Sequence, residues 1–420
     1  MTRALSSIPS VTTRIAATAG RRGLGVPLRR LASLVAMLGI MGLAACSAQR
    51  DADAPVAEAP EAPVQQPVPS GPVPVALLVP LGAAQERVGN DARAITNAAR
   101  MALEEGPADA ITLNILDTGG TAEGARLAAS RAVEQGAALI LGPLFSASTS
   151  AVAPIARPTG APVLSFSTDT TVAGSGVWVT GFTPEDEVQR ILAFAARNGI
   201  TRVGVYAPDI PYGQAALRAV EGAAARTGIS VVARESYPRS FQDIERTSGA
   251  FAAMARSLGA EAVLLPDFSQ GLQTAASFMA FHGVVQPEIR YLGTGQWEAG
   301  ETLREQALVG GWFAGADPIA ADAFAGRYRA RFGSRPPFVA VLGYDAARVA
   351  IELAVQARTL GDATPYGPEA LTQEAGFAGG VGALRLLPDG TAQRGIAVLE
   401  VGQGGFITRE PAPTRFGAGS

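Results

Sequence analysis

The chain has 420 residues, 48% hydrophobic and 17% charged, with 37 acidic against 34 basic residues and a formal net charge of −3. All 34 basic residues are Arg, and there is one His and one Cys. The missing Lys excludes a Walker A lysine, a pyridoxal Schiff base and a Ser-x-x-Lys acylation site, while one His and one Cys exclude a Cys/His nucleophile pair and a zinc cluster.

In chain order, Arg21, Arg22, Arg29 and Arg30 make a positive segment, followed by an apolar run at 31–43. Its 13 residues fall short of the roughly 20 that a spanning helix needs. The run ends in Leu43-Ala44-Ala45-Cys46. A lone thiol after small residues in this position is the pattern of a bacterial lipoprotein signal, so 1–45 is predicted to be a signal peptide and Cys46 the lipid-bearing residue of an exported protein. A buried helix with a core cysteine is the competing reading. Ser47, where an Asp would favour the inner membrane, points to a periplasmic protein anchored to the outer membrane. Cleavage removes six Arg and no acid, leaving 28 basic and 37 acidic residues, a net of −9 that disfavours nucleic-acid binding.

Residues 46–72 read as a solvated tether, because seven prolines lie between Pro55 and Pro74 among Asp51, Asp53, Glu58 and Glu61. At about 3.1 Å per residue, about 24 residues of it span about 70 Å if polyproline-like. The acids lack regular ligand spacing, so no metal or cofactor is expected.

Apolar runs then alternate with Ala-rich amphipathic stretches, the pattern of parallel sheets wrapped by helices. Strands are predicted at 75–79, 111–116, 138–141, 162–165, 203–206, 230–233, 262–265, 291–293 and 312–314. Helices are predicted at 90–103, 121–135, 146–156, 184–198, 214–227, 243–258, 270–281, 320–332 and 340–360. The fold class is α/β, with two doubly wound lobes joined by three crossings near Phe182, Gly315 and Gln373. The first lobe takes 73–182 plus 316–372, the second 183–315 plus 373–409, and 410–420 is a disordered tail. His282 in Phe281-His282-Gly283 reads as a helix end, and no G-x-S-x-G elbow is present, so no catalytic residue is assigned.

In open α/β sheets ligands bind beyond the carboxyl ends of strands, where helix N-termini present free amides. Ser146 follows the strand at 138–141, and Ser167, Thr168 and Asp169 follow that at 162–165. These residues fit either a ligand contact or an ordinary helix or turn cap. Tyr212 lies past the strand at 203–206, facing a ligand or packing at the rim.

The segments Val79-Pro80-Leu81-Gly82, Asp117-Thr118-Gly119-Gly120-Thr121, Leu141-Gly142-Pro143-Leu144-Phe145-Ser146 and Pro162-Val163-Leu164-Ser165-Phe166-Ser167-Thr168-Asp169, with Pro211-Tyr212-Gly213 further on, resemble type I periplasmic binding proteins of the branched-chain amino-acid receptor class. The stretch from Asp117 to Asp169 is most similar to the penicillin-binding-protein activator lipoproteins of the LpoA type. The resemblance implies that Ser146 holds a carboxylate, that Ser167, Thr168 and Asp169 lie beside it, and that Tyr212 closes from the opposite side. Where the receptors place an acid for the ligand ammonium, Gly293-Thr294-Gly295-Gln296-Trp297-Glu298 offers Gln296, with Glu298 displaced and Trp297 stacking on a ring or filling the cleft. Asp169 and Asp267 are the candidate substitutes, although Asp267 also fits a helix cap, and weak amino-acid binding is expected. The implied function is a non-catalytic lipoprotein regulating peptidoglycan synthesis through a penicillin-binding protein. The alternative is the substrate-binding lipoprotein of an ABC importer, with a permease as partner and an amino acid or small polar compound as ligand.

Overall fold

The computed structural model describes residues 71–417. The predicted signal peptide, Cys46 and most of the tether lie outside the described residues.

The first lobe opens with β1 (Val73–Val79), α1 (Glu86–Glu105), β2 (Ile111–Asp117), α2 (Ala122–Glu134), β3 (Leu139–Leu141), α3 (Ser146–Ala156), β4 (Val163–Ser165) and β5 (Val177–Val179). The five strands pair in parallel in the order β2-β1-β3-β4-β5. Side chains of a strand alternate between faces, and both faces of this sheet are covered. Val75, Leu77 and Val79 therefore enter a core with α1, while Ala76 and Leu78 pack with α2 and α3. That double burial is why β1 reads as an unbroken apolar run.

The chain then builds α4 (Pro184–Arg197), β6 (Arg202–Pro208), α5 (Pro211–Thr227), β7 (Ser230–Tyr237), α6 (Phe241–Ser257), β8 (Ala262–Leu264), α7 (Ser269–Phe281), β9 (Arg290–Gly293) and β10 (Trp312–Gly315). It returns to the first lobe with α8 (Pro318–Phe332), α9 (Ala340–Leu360) and the single turn α10 (Pro368–Leu371). A three-stranded antiparallel sheet follows, β11 (Phe377–Ala378), β12 (Ala383–Leu386) and β13 (Ala392–Arg394). Finally β14 (Ala397–Val401) and β15 (Phe406–Glu410) add an antiparallel edge to β10, giving a second sheet ordered β15-β14-β10-β9-β8-β6-β7. Two separate apolar layers cover its faces, one with α6 and α7 and one with α4 and α5.

Each of the nine predicted strands and nine predicted helices forms at its predicted place. Two boundaries differ from expectation. Phe377, Leu384 and Leu386 pack into the first lobe's core beside α9, so residues 377–394 belong to that lobe and not to the second. The chain thus crosses between lobes at 180–183, at 316–317 and at 395–396, where Ile396 joins the second lobe's core, rather than near Gln373. Residues 411–416 are also no loose tail: Ala412 N–H donates to Asp317 Oδ2, Ala383 N–H to the Pro413 carbonyl, and Phe416 N–H to the Ala375 carbonyl.

The first and third crossings share one buried ion pair, Arg394 with Asp345, whose side chains are 2% and 1% exposed. Arg394 Nε donates to the Thr180 carbonyl at 3.0 Å, and Asp345 Oδ1 accepts from Gly380 N–H at 2.7 Å. Removing one partner leaves an uncompensated buried charge, a loss of about 3–5 kcal/mol. Arg394→Leu is expected to lose stability on that scale in urea unfolding, and the double variant with Asp345→Leu to lose clearly less than the two single variants added together. Simple additivity would show that the pair is not coupled.

Candidate ligand-binding cleft

A cleft of about 680 Å³ lies where the carboxyl ends of strands from both sheets converge. The loops lining it follow β1, β3, β4, β6 and β9, and the first crossing closes its floor with Phe182. Six of the eight sequence-predicted ligand residues line it, namely Ser146, Ser167, Thr168, Asp169, Tyr212 and Gln296.

The first-lobe wall depends on a turn that only glycine makes without strain. Gly142 leaves β3 at φ +84, and a Cβ there would lie 2.3 Å from the Leu78 carbonyl oxygen. This turn aims the start of α3 at the cleft, with Ser146 as its first residue. Ser146 and Asp169 line this wall together. Asp169 Oδ1 accepts from the Thr171 hydroxyl at 2.6 Å and the Thr171 N–H at 3.0 Å. The Thr171 hydroxyl is the main cause holding the Asp169 carboxyl below its usual range, aided by Ser146 and the charge of Arg218, against a smaller opposing effect of burial. Ser167 is buried and its Oγ accepts from Asp169 N–H at 3.0 Å, so it shapes the turn, while Thr168 stands exposed on the lip. Phe145, Phe166, Phe182, Phe338, Val339 and Leu342 supply an apolar surface beside these polar groups.

The second-lobe wall holds a carboxylate that the sequence did not point to. Glu187, in the first turns of α4, is 7% exposed and lines the cleft. Its Oε2 accepts from the Tyr212 hydroxyl at 2.7 Å. Gly295 lets it sit there, because a Cβ at 295 would lie 2.6 Å from Glu187 Oε1. Burial pushes the Glu187 carboxyl up to about 7, with the Tyr212 hydroxyl and the Gly295 amide acting the other way and the charges of Glu298 and Glu185 adding to the rise.

Two expectations about this wall, for Asp267 and Trp297, are corrected. Asp267 is fully buried away from the cleft and accepts from the Tyr237 hydroxyl at 2.6 Å, Arg239 Nε at 2.7 Å and its neighbour Phe268 N–H at 2.7 Å, which makes it the anchor of the loop into α7. Trp297 is fully buried in the second lobe's core beside Phe313, its Nε1 donating to the Leu265 carbonyl at 3.0 Å. It neither stacks on a ligand nor fills the cleft. Glu298 Oε2 accepts from Ala316 N–H at 3.0 Å, so it ties the second crossing. The buried acid that lines this wall comes instead from α4, as Glu187.

The family model described as periplasmic binding protein matches residues 72–405. The chain belongs to the periplasmic binding protein family. Its α/β architecture is the type I fold of that family, and solved structures agree. A protein from Rhodospirillum rubrum assigned as a branched-chain amino acid ABC transporter is 20% identical, covers 80% of this chain and 99% of its own, and superposes with a TM-score of 0.69. The solute-binding protein of an ABC transporter from Rhodopseudomonas palustris BisB5, in complex with 3,4-dihydroxybenzoic acid, is 20% identical over 82% of this chain and 97% of its own, with a TM-score of 0.54. A leucine-binding protein from Thermotoga maritima is 21% identical over 81% and 99%, with a TM-score of 0.52. The comparison with curated proteins finds no match.

In this periplasmic binding protein Glu187 escaped sequence reasoning because Thr183-Pro184-Glu185-Asp186-Glu187 is an ordinary helix start, a capping Thr with acids in the first turn. The raised carboxyl has a stability consequence with a definite sign. Between the ordinary value of 4.5 and about 7 the native state binds more protons at Glu187 than the unfolded chain does. The contribution is therefore fully present below pH 4.5, falls as pH rises towards 7, and is flat above that, with a total of roughly 3 kcal/mol. Glu187→Gln should remove this slope from urea midpoints measured between pH 5 and pH 8. An unchanged slope would show that Glu187 titrates at its ordinary value.

Proposed function

We propose that the protein is the solute-binding receptor of an ABC importer, a non-catalytic periplasmic protein that closes two lobes over a small polar solute and presents it to a permease. The observation that carries this reading is convergence. The loops after five parallel strands, the start of α3 and the Glu187–Tyr212 pair all meet in one cleft, at the junction of lobes joined by three crossings. Such junctions are where ligands bind and where hinge motion closes around them. The named neighbours support it, since two are described as parts of ABC transporters and two carry a named ligand or binding activity. The sole imidazole, His282, terminates α7 and does not line the cleft.

The regulator reading, in which the protein docks on a peptidoglycan synthase from the outer membrane, rests on Cys46, Ser47 and the Pro-rich stretch that follows. The geometry of the cleft and the solved neighbours favour the receptor. Lipid attachment at Cys46 is part of either reading.

Two experiments test these proposals. A solute identified by thermal-shift screening of the mature protein should reduce the radius of gyration in small-angle scattering, and Ser146→Ala with Tyr212→Ala should weaken it by tenfold or more. If those variants keep full function while halving 49–74 abolishes it, the regulator reading replaces the receptor. In cells, Cys46→Ser should move the protein from the membrane fraction to the soluble periplasmic fraction. Wild type already found in the soluble fraction would end the lipoprotein assignment.

A further inference from the structure

We propose, on the basis of the receptor reading above, that the solute is an amine carrying no carboxylate, its ammonium group against Glu187 and its apolar body against Phe182 and Phe338.

A ligand carboxylate entering this cleft is drawn to Arg87 or to the start of α3, where free amides and the Ser146 hydroxyl favour an anion. The protein already sets a carboxylate on the same wall. Asp169 lines the cleft with Ser146 and is fixed by both donors of Thr171. A second carboxylate would stand beside a carboxylate that the surrounding donors keep ionised. Arg218 acts on Asp169 from outside the cleft lining, but the same cation also faces Glu185.

The opposite wall has the complementary deficiency. Glu187 has a hydrogen-bond donor in Tyr212 but no cation in an ion pair with it among the described residues. Among the described residues the ion pairs that include a fully buried acid are Arg239–Asp267 and Arg394–Asp345, and neither involves Glu187. A buried carboxylate without a counter-charge is costly, and a ligand ammonium would provide one. The charged groups lining the cleft are Asp91, Asp169 and Glu187 against Arg87 alone, so the field inside favours a cation. Phe182 and Phe338, with ring centroids 4.8 Å apart, give an apolar body somewhere to pack.

The test uses calorimetry on the mature protein at pH 8 with three matched sets of probes. These are 2-phenylethylamine and 3-methylbutylamine, their amino-acid counterparts L-phenylalanine and L-leucine, and the carboxylates 3-phenylpropionate and isovalerate. The amines should bind at least tenfold more tightly than the amino acids, and the carboxylates should not bind measurably. Glu187→Gln, which preserves shape, should weaken the amines at least tenfold, and Tyr212→Phe less. Asp169→Asn should narrow the gap between amine and amino acid severalfold. Amine affinity should fall as pH drops from 8 to 6, because Glu187 takes up its proton while the amine stays charged; Tyr212, Glu185, Glu298 and the Gly295 amide face it, together with its buried neighbour Asp186, which burial pushes up to about 8. An amino acid or carboxylate binding more tightly than its amine overturns the amine class and leaves the receptor reading standing. Amines bound equally by wild type and Glu187→Gln overturn the ammonium site. If no probe of any class binds, and denatured protein releases no small molecule on mass spectrometry, the amine class and the receptor reading both fall.

Discussion

A pair of opposite charges withdrawn from water holds together only when its remaining donors and acceptors are also satisfied, and the hinge of this protein is assembled around such a pair. Arg394 ends β13 just before the third crossing. Its guanidinium reaches the Thr180 carbonyl on the first crossing, binds Asp345 on α9 and lies 4.4 Å above the Phe182 ring. Asp345 in turn receives the Gly380 amide. The second crossing is pinned separately, with Asp317 capping α8 through Ile319 N–H at 3.0 Å and accepting Ala412 N–H at 3.0 Å, while Glu298 holds Ala316. Each passage between the lobes is thus tied by a side chain with little freedom to be anything else.

The same arrangement sets the site. Phe182 touches the hinge cation on one side and the cleft on the other, and the chain enters α4 immediately after it, with Thr183 capping the Asp186 N–H and Pro184 in the first position. Glu187 follows one turn later. A rotation at the first crossing therefore carries the cleft's buried acid with it, and hinges work by concentrating backbone change in a few residues at element ends. The motion that opens the lobes and the charge that meets the solute share one short segment.

What the sequence revealed and what it withheld divide along physical lines. Parallel strands buried on both faces announce themselves as apolar runs, and amphipathic helices between them by their period, so the lobes were legible. β5 was not, because Val177-Trp178-Val179 is three residues between glycine turns, and β11 to β13 are too short to carry a period. Nor does alternation reveal which lobe a short strand joins, which is why residues 377–394 were placed on the wrong side. In the site, Ser146 and Tyr212 were found because they follow strands directly. Asp267 and Trp297 satisfy the same rule yet turn inward, Asp267 to Tyr237 and Arg239 and Trp297 to Leu265. Position after a strand specifies the end of the sheet, not the direction of the side chain.

The distribution of charge also bears on how such a cleft stays responsive. The first-lobe wall carries Asp91 and Asp169 with Arg87, and the second-lobe wall carries Glu187. Closing the lobes brings like charges together across a space that is losing water, where their repulsion grows as the effective dielectric falls. The empty cleft is thereby biased towards the open form. A cation bound between the walls replaces repulsion with two attractions, and only a ligand that interacts differently with the open and closed forms shifts their balance. A neutral or anionic compound of the same shape fills the apolar surface at Phe182 and Phe338 without relieving that opposition. If the proposed amine is the solute, selectivity and closure have one origin, the surplus of carboxylate in the cleft.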